Sequence, residues 1–239
     1  DGVPRLLPSF VCYADILGYS QLSMQAISSG EGGAFLERLS AALKAAYNSV
    51  RETARGFTER DQRYFDIKIF TDNIVIGYPI NDVAYTQGEE ELAHIFELFS
   101  ELQIKLALDG FLLRGGIAYG EHYMDNDIVF GDALLAAVKQ DVSGGPPCLS
   151  LHSTALNRVQ GQMAFYGRSR HTPQHRYLRE DSRGDVFLNY LTEVECAFPE
   201  DGPLLLELID RHKSQKKIDQ ESYKSVPSVW SKYEWLARY

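Results

Sequence analysis

Cysteine is scarce, and its scarcity excludes two constructions. Only three occur among 239 residues, Cys12, Cys148 and Cys196. An odd number, with no close pair and no histidine at zinc-ligand spacing, argues against a disulfide framework and against a structural zinc site. They read as buried thiols of a reducing compartment, and the cytoplasm is the expected location. Long apolar runs are missing as well. The richest stretches, Leu204–Ile209 and Leu102–Leu108, are far too short to cross a bilayer, and no apolar run follows a basic start. No membrane partner and no export are expected, although residue 1 is Asp rather than an initiating Met, and the reading of the N-terminus stops there. An excess of positive charge is absent too: 33 acidic residues against 24 Lys and Arg give a net charge of −9. Nucleic-acid binding draws its affinity from clustered basic side chains, so a nucleic-acid partner is not expected, while a local basic pocket for one triphosphate is allowed. Internal repeats and low-complexity segments are also lacking.

What is present describes a folded chain. Hydrophobic residues make up 44% and charged residues 24%, which is ordinary for a globular protein. The length fits one elaborated domain, read here as residues 1–200 with a helical extension, 201–239, packed on it. Ser9–Ala14 reads as a first strand halted at Asp15 and Gly18, and 30–55 as a long amphipathic helix with Phe35, Leu36, Leu39, Leu43, Ala46, Tyr47 and Val50 on its stripe. Tyr64–Phe70 and Ile74–Ile80 alternate around the turn residues Thr71-Asp72-Asn73, the clearest hairpin in the chain. A second long helix covers Glu89–Leu108, strands cover Leu112–Tyr119 and Asp127–Phe130, and a third helix covers Asp132–Val142. Beyond Cys148 a strand and helix, a basic stretch from Arg168 to Arg179, a strand at Val186–Leu191 and terminal helices complete the reading. This order gives an α+β fold of the ferredoxin-like or palm type, an antiparallel-rich sheet covered by helices.

In such a sheet the first strand and the hairpin are neighbours, so Asp15 and Asp72 can meet at one sheet end although 57 positions separate them. Paired carboxylates supply the hard oxygen ligands that magnesium and manganese prefer. Taken one at a time, each is equally an ordinary turn or cap residue.

The surrounding words decide between these readings. Phe10–Tyr19 (FVCYADILGY) resembles the first metal motif of the class III adenylate and guanylate cyclases, and Ile67–Asn73 (IKIFTDN) resembles their second, with Lys68 four residues before Asp72. Leu113–Gly120 (LRGGIAYG) resembles the family's Arg-x-Gly-Ile strand, and Val129–Lys139 (VFGDALLAAVK) its dimer-interface helix. Four such words in the family's order span about residues 9–142.

The resemblance implies roles residue by residue. Asp15 and Asp72 would hold two Mn2+ or Mg2+ ions, with the Ile16 carbonyl as a third ligand. Backbone amides of Leu17, Gly18 and Tyr19 would face the triphosphate, and Lys68 would reach the base. Tyr64 alternates onto the same strand face as Lys68, Phe70 and Asp72; it reads either as a wall of the base pocket or, with Phe70, as core. Arg114 reads either as a phosphate contact or as the partner of a helix acid, and Lys139 either as the transition-state cation or as a solvated helix residue. The basic residues Arg168, Arg170, His171, His175, Arg176 and Arg179 offer further phosphate charge or a solvated loop.

Three departures narrow the substrate. Ile128 stands three residues before Gly131, where purine cyclases place a base-reading aspartate or cysteine; Leu135 replaces the ribose-aligning asparagine; Lys139 replaces the arginine. With the short Asp-Ile-Leu-Gly-Tyr motif and the tail Lys232–Tyr239, these departures resemble the bacterial pyrimidine nucleotide cyclases of antiphage defence. That resemblance implies a homodimer with sites at the interface, UTP or CTP as substrate, a cyclic UMP or cyclic CMP product, and a separate effector that binds it. A catalytically silent nucleotide-binding module and a palm-type polymerase are the competing readings.

Overall fold

The computed structural model describes residues 4–56, 66–80, 88–125, 127–142, 146–166, 173–192, 202–222, 224 and 227–238. A ten-residue strand, Leu7–Ile16 (β1), opens the chain and is followed by helices Tyr19–Ser28 (α1) and Gly32–Arg55 (α2). The hairpin Asp66–Phe70 (β2) and Asn73–Pro79 (β3) leads to helix Glu89–Leu108 (α3) and the long strand Leu113–Met124 (β4). Val129–Gly131 (β5) folds back on β4 and runs straight into helix Asp132–Val142 (α4). Leu149–Leu151 (β6), helix Ser153–Tyr166 (α5), the short helix Pro173–Tyr177 (α6) and strands Leu178–Glu180 (β7) and Val186–Leu188 (β8) follow. Two helices, Gly202–Ser222 (α7) and Pro227–Arg238 (α8), end the chain.

Among the described residues eight strands form one sheet in the order β2-β3-β1-β4-β6-β8-β7, with β5 attached to β4. Its first half, β2-β3-β1-β4, is antiparallel throughout and has the ferredoxin-like order expected from the sequence. Strand alternation gives this half two distinct faces. One carries Phe10, Cys12, Ala14, Ile16, Ile74, Ile76 and Tyr78 into a core completed by Leu39, Ala46 and Val50 of α2 and by Leu92, Phe96, Phe99 and Leu102 of α3. Truncating a fully buried ring here, such as Phe96 or Phe99, carries the usual large-to-small cost of about 3–5 kcal/mol.

The opposite face is paved with small residues. A Cβ on Gly116 would lie 2.5 Å from the Ala137 carbonyl oxygen, and one on Gly120 would lie 2.5 Å from Asp132 Oδ1. With Ala118 between them and the fully buried Ala133 and Ala137 opposite, they let α4 lie directly on β4 and β1. The same packing directs the C-terminal end of α4 toward Asp15 and Arg114.

Two local expectations are corrected. Helix α1 stands between the first strand and the long helix, where the sequence reading has no element, because it buries none of its residues and so shows no apolar stripe. Leu36, placed on the buried stripe of α2, is exposed; the true stripe is Leu39, Ala42, Ala46, Val50 and Ala54. Among the described residues no helix is long and apolar enough to cross a membrane.

Candidate active site

Strand register brings the acidic pair together. Asp15, the penultimate residue of β1, lies opposite Asn73 on β3 and opposite Arg114 on β4. Phe70 pairs with Asn73, which leaves Thr71 and Asp72 as a two-residue turn beside it. The Ile16 N–H donates to the Asp72 carbonyl at 3.1 Å, tying the turn to the strand end, and the Asp15 and Asp72 carboxyl groups are in hydrogen-bond contact. Burial, reinforced by that contact, pushes Asp15 up to about 6, against the pull of Arg114.

Of the two readings the sequence left open for Arg114, the structure shows the pairing with a helix acid, and it also places the guanidinium against Asp15. Its Nη2 lies 3.0 Å from Asp15 Oδ2, and its Nε lies 3.0 Å from Asp141 Oδ1 at the end of α4. Burial raises Asp141 while Arg114 and Lys232 draw it back. Tyr13, on the same face as Asp15, donates its hydroxyl to Asn73 Oδ1, and burial together with the charges of Asp15, Asp141 and Asp72 pushes its pKa up to about 12. Asn73 Nδ2 donates to Asp72 Oδ1 at 3.2 Å, and the Thr71 hydroxyl donates to the same oxygen at 2.7 Å. Asp72 is therefore clamped by both neighbours. Thr71 holds a left-handed φ of 55°, a strained setting for a β-branched residue, at the turn that carries this aspartate.

Tyr13, Asn73, Asp141 and Lys232 were not singled out from sequence. Tyr13 could have been, since it stands two residues before Asp15 and strand period fixes its face. Asn73 adjoins Asp72 but reads as turn chemistry; Asp141 and Lys232 are joined to the site only by packing.

Lys68, on the edge strand β2, extends its ammonium to 3.4 Å from the Ile128 carbonyl oxygen. The β4–β5 turn that presents Ile128 is held by Asp125, whose Oδ1 accepts from the Asp127 and Ile128 amides at 2.8 Å. Lys68 therefore meets position 128 through its backbone carbonyl rather than through its side chain. Phe70 is 76% exposed, which removes the core reading for it. Tyr64 lies outside the described residues.

The phosphate-facing amides need one correction. The Leu17 N–H already donates to the Leu112 carbonyl at 2.8 Å, and the Leu17 side chain is buried, so this amide is committed to holding β1 against the start of β4. Gly18 caps α1 with φ 74° and no side-chain cap, and a helix start leaves its first N–H groups without helical acceptors. Tyr19 begins that helix and packs part of its ring on the core.

Lys139 is not brought to the acidic pair. It is exposed on α4, one turn beyond the exposed Leu135, and among the described residues no hydrogen bond or ion pair is shown linking it to Asp15, Asp72 or Arg114. Of the basic stretch, Arg168, Arg170 and His171 lie outside the described residues. Arg176 lies over the Tyr177 ring and Arg179 donates to the Arg176 and Leu178 carbonyls, at the sheet edge opposite β2. Leu6, Ile128, Phe130 and Leu135 are exposed, and Leu6, Phe130 and Leu135 line a shallow apolar cavity of about 470 Å³ with Val129 and Leu134.

The donor set suits a divalent cation. Two carboxylates in contact repel when both are ionised, a cost that a cation between them relieves, and oxygen ligands are what magnesium and manganese take. Among the described residues no group of three His, Cys, Asp or Glu side chains forms such a site. A cation at Asp15 and Asp72 would complete its shell from backbone carbonyls such as that of Ile16, from water and from substrate.

No protein-family model and no curated protein sequence matches the chain. Its structure is similar to that of the guanylyl cyclase Cya2, at 14% identity and a TM-score of 0.43, over 65% of this chain and 79% of that one. A class III adenylyl cyclase-like ATP-binding protein from Pseudomonas aeruginosa is similar at 13% identity and a TM-score of 0.45, over 70% and 37%. The catalytic core of a rhodopsin-guanylyl cyclase with converted specificity, in complex with ATPalphaS, is similar at 10% identity and a TM-score of 0.48, over 77% and 96%. Likenesses of this size leave the functional assignment to the residues of this chain.

Proposed function

We propose that the chain is a nucleotide cyclase that converts UTP to 3′,5′-cyclic UMP and pyrophosphate, with CTP and cyclic CMP as the runner-up. The carrying observation is the contact between Asp15 and Asp72 at one sheet end, with Arg114 bound to the first of them. In the reaction the ribose 3′-oxygen attacks the α-phosphorus, the bond from the α-phosphorus to pyrophosphate breaks, and the hydroxyl proton passes to solvent water. Manganese or magnesium, when bound at Asp15 and Asp72, supplies Lewis acidity to the attacking and leaving oxygens. The chain's own part is placement: the start of α1 presents N–H groups of Gly18 and Tyr19 to phosphate, Arg114 adds charge, and Lys68 with the Ile128 turn borders the base. Because the attack is intramolecular, fixing the ribose supplies much of the rate. Residues 1–200 would form the catalytic domain, with 201–239 packed on it as an extension.

The base identity rests on the resemblance to pyrimidine cyclases of antiphage defence, as does the role of the product as a messenger read by a separate effector. Uracil and cytosine differ by one acceptor–donor exchange at position 4. Incubating the protein with manganese and each of the four ribonucleoside triphosphates, then identifying products by mass spectrometry, tests the assignment. A cyclic pyrimidine monophosphate is expected. Binding of a triphosphate without any product would favour the silent nucleotide-binding module, and a linked product would favour the polymerase reading.

The position of Lys139 favours a homodimer. Exposed and apart from Asp15, it can act only on a site completed by a second copy; the exposed Leu135 stands one turn before it on α4, and the exposed Phe130 lies on β5, which runs into that helix. Phe130→Glu and Leu135→Glu should each leave a folded monomer by sedimentation and reduce turnover by about a hundredfold or more, the scale expected when a transition-state contact is lost. A fully active monomer would refute the shared-site arrangement.

A further inference from the structure

The C-terminal helix α8 reaches the site. Its Tyr233 and Leu236 are buried against Leu17, Leu112, Ile104, Ala107 and Tyr190. Leu17 follows the Asp15-Ile16 pair and Leu112 precedes Leu113-Arg114, and the Leu17 N–H bonds the Leu112 carbonyl. The helix therefore rests on the two segments that carry the acidic ligand and the arginine. Lys232, next to Tyr233 and half-buried, is placed where Arg114, Asp141 and Asp15 all act on it. Among the described residues no carboxylate lies within ion-pair distance of its ammonium, although Arg114 claims one each from Asp15 and Asp141. Burial and the neighbouring guanidinium hold its pKa below the ordinary lysine value, against the pull of Asp141 and Asp15. A partly desolvated ammonium that feels the charge of a neighbouring guanidinium is stabilised when an anion arrives within reach of both.

We propose that Lys232 is a polyphosphate-binding residue, which together with Arg114 receives the β- and γ-phosphate oxygens of the nucleoside triphosphate bound at Asp15 and Asp72. This rests on the cyclase reading and adds to it a cation from outside residues 9–142, the stretch that carries the four class III cyclase words. No bond to Lys232 forms or breaks; it keeps its proton, and its charge stabilises the departing pyrophosphate. The residues of the basic stretch that the structure describes, His175, Arg176 and Arg179, belong instead to α6 and β7, toward the far sheet edge.

The test compares the intact chain with K232Q and K232R, using UTP and CTP with manganese for turnover, and tripolyphosphate, pyrophosphate and UMP for binding by calorimetry. K232Q should raise KM for the triphosphate and weaken tripolyphosphate and pyrophosphate binding, each by about tenfold, as expected for loss of a charged hydrogen bond. UMP affinity and the melting temperature should be unchanged, and K232R should restore most of the loss. Unchanged tripolyphosphate binding by K232Q would overturn the inference, as would an equal loss for UMP accompanied by a lower melting temperature. If the wild-type protein converts neither UTP nor CTP, the cyclase reading falls first. Tripolyphosphate binding that K232Q weakens would still support the polyphosphate site, and no tripolyphosphate binding at all would overturn it.

Discussion

Asp15→Asn and Asp72→Asn should each abolish cyclase turnover, by about a thousandfold or more, in a protein that still folds. Removing a metal ligand removes the charge that a divalent cation needs and the fixed geometry that it holds. Folding should survive because neither carboxylate is a purely stabilising charge. Asp15 carries a folded pKa of about 6 against an ordinary 3.8, so the folded chain binds its proton more firmly than the unfolded chain does. That contribution is complete below about 3.8 and is lost as pH rises through about 6, which means that ionising Asp15 weakens the metal-free fold. In chelator, wild-type melting temperature should therefore decline over this window relative to D15N. Adding manganese at neutral pH should stabilise the wild type and leave D15N unmoved, by ligand linkage to the folded state. Turnover retained in both variants with unchanged metal dependence would end the metal-site assignment. A wild-type melting temperature indifferent to manganese would count against it independently of any assay.

The acidic pair was legible because its placement depends on short-range rules. Strand period puts Asp15 and Tyr13 on one face, turn chemistry puts Asp72 at the hairpin tip, and the ferredoxin-like order makes β1 and β3 neighbours. The same strand period put Lys68 on one face with Phe70 and Asp72, and the helical period placed Leu135 and Lys139 one turn apart. Where the sequence fell silent, the reason was packing. Nothing local says that the Leu17 amide is consumed by Leu112, that the acid partner of Arg114 is Asp141, or that Lys232 approaches the site from the C-terminal helix. Each depends on how far α4 and α8 slide over the sheet, which is set by the small residues under α4 and by Tyr233 and Leu236 under α8. Helix α1 was missed for the opposite reason, since with no buried side chain it leaves no pattern to read. Charge density carries no information about which sheet edge a basic stretch occupies, and Arg176 and Arg179 stand at the edge opposite β2.

Gly115→Ala should be the most damaging of the glycine-to-alanine changes among the described residues. Gly115 lies on β4 between Ala14 of β1 and Leu149 of β6, and its N–H donates to the Cys148 carbonyl at 3.1 Å. An added Cβ would stand 1.9 Å from the Tyr13 carbonyl oxygen and 2.9 Å from Ala14 Cα. Both obstacles are backbone, so no rotamer change relieves them; β1 and β4 must part where Asp15 faces Arg114. A loss of about 3 kcal/mol or more is expected, at the severe end for overpacking, and turnover should fall with it because the same opening displaces Asp15. Gly161→Ala, within helix α5, is the control: its Cβ meets nothing within 4 Å, so the chain should gain about 0.5–1 kcal/mol from the lower entropy of alanine in a helix. The two sites lie on different elements, so their effects should add. If Gly115→Ala melted like the wild type, β1 and β4 could not be paired in this register. The Asp15–Arg114 contact, and the site built around it, would then have to be placed differently.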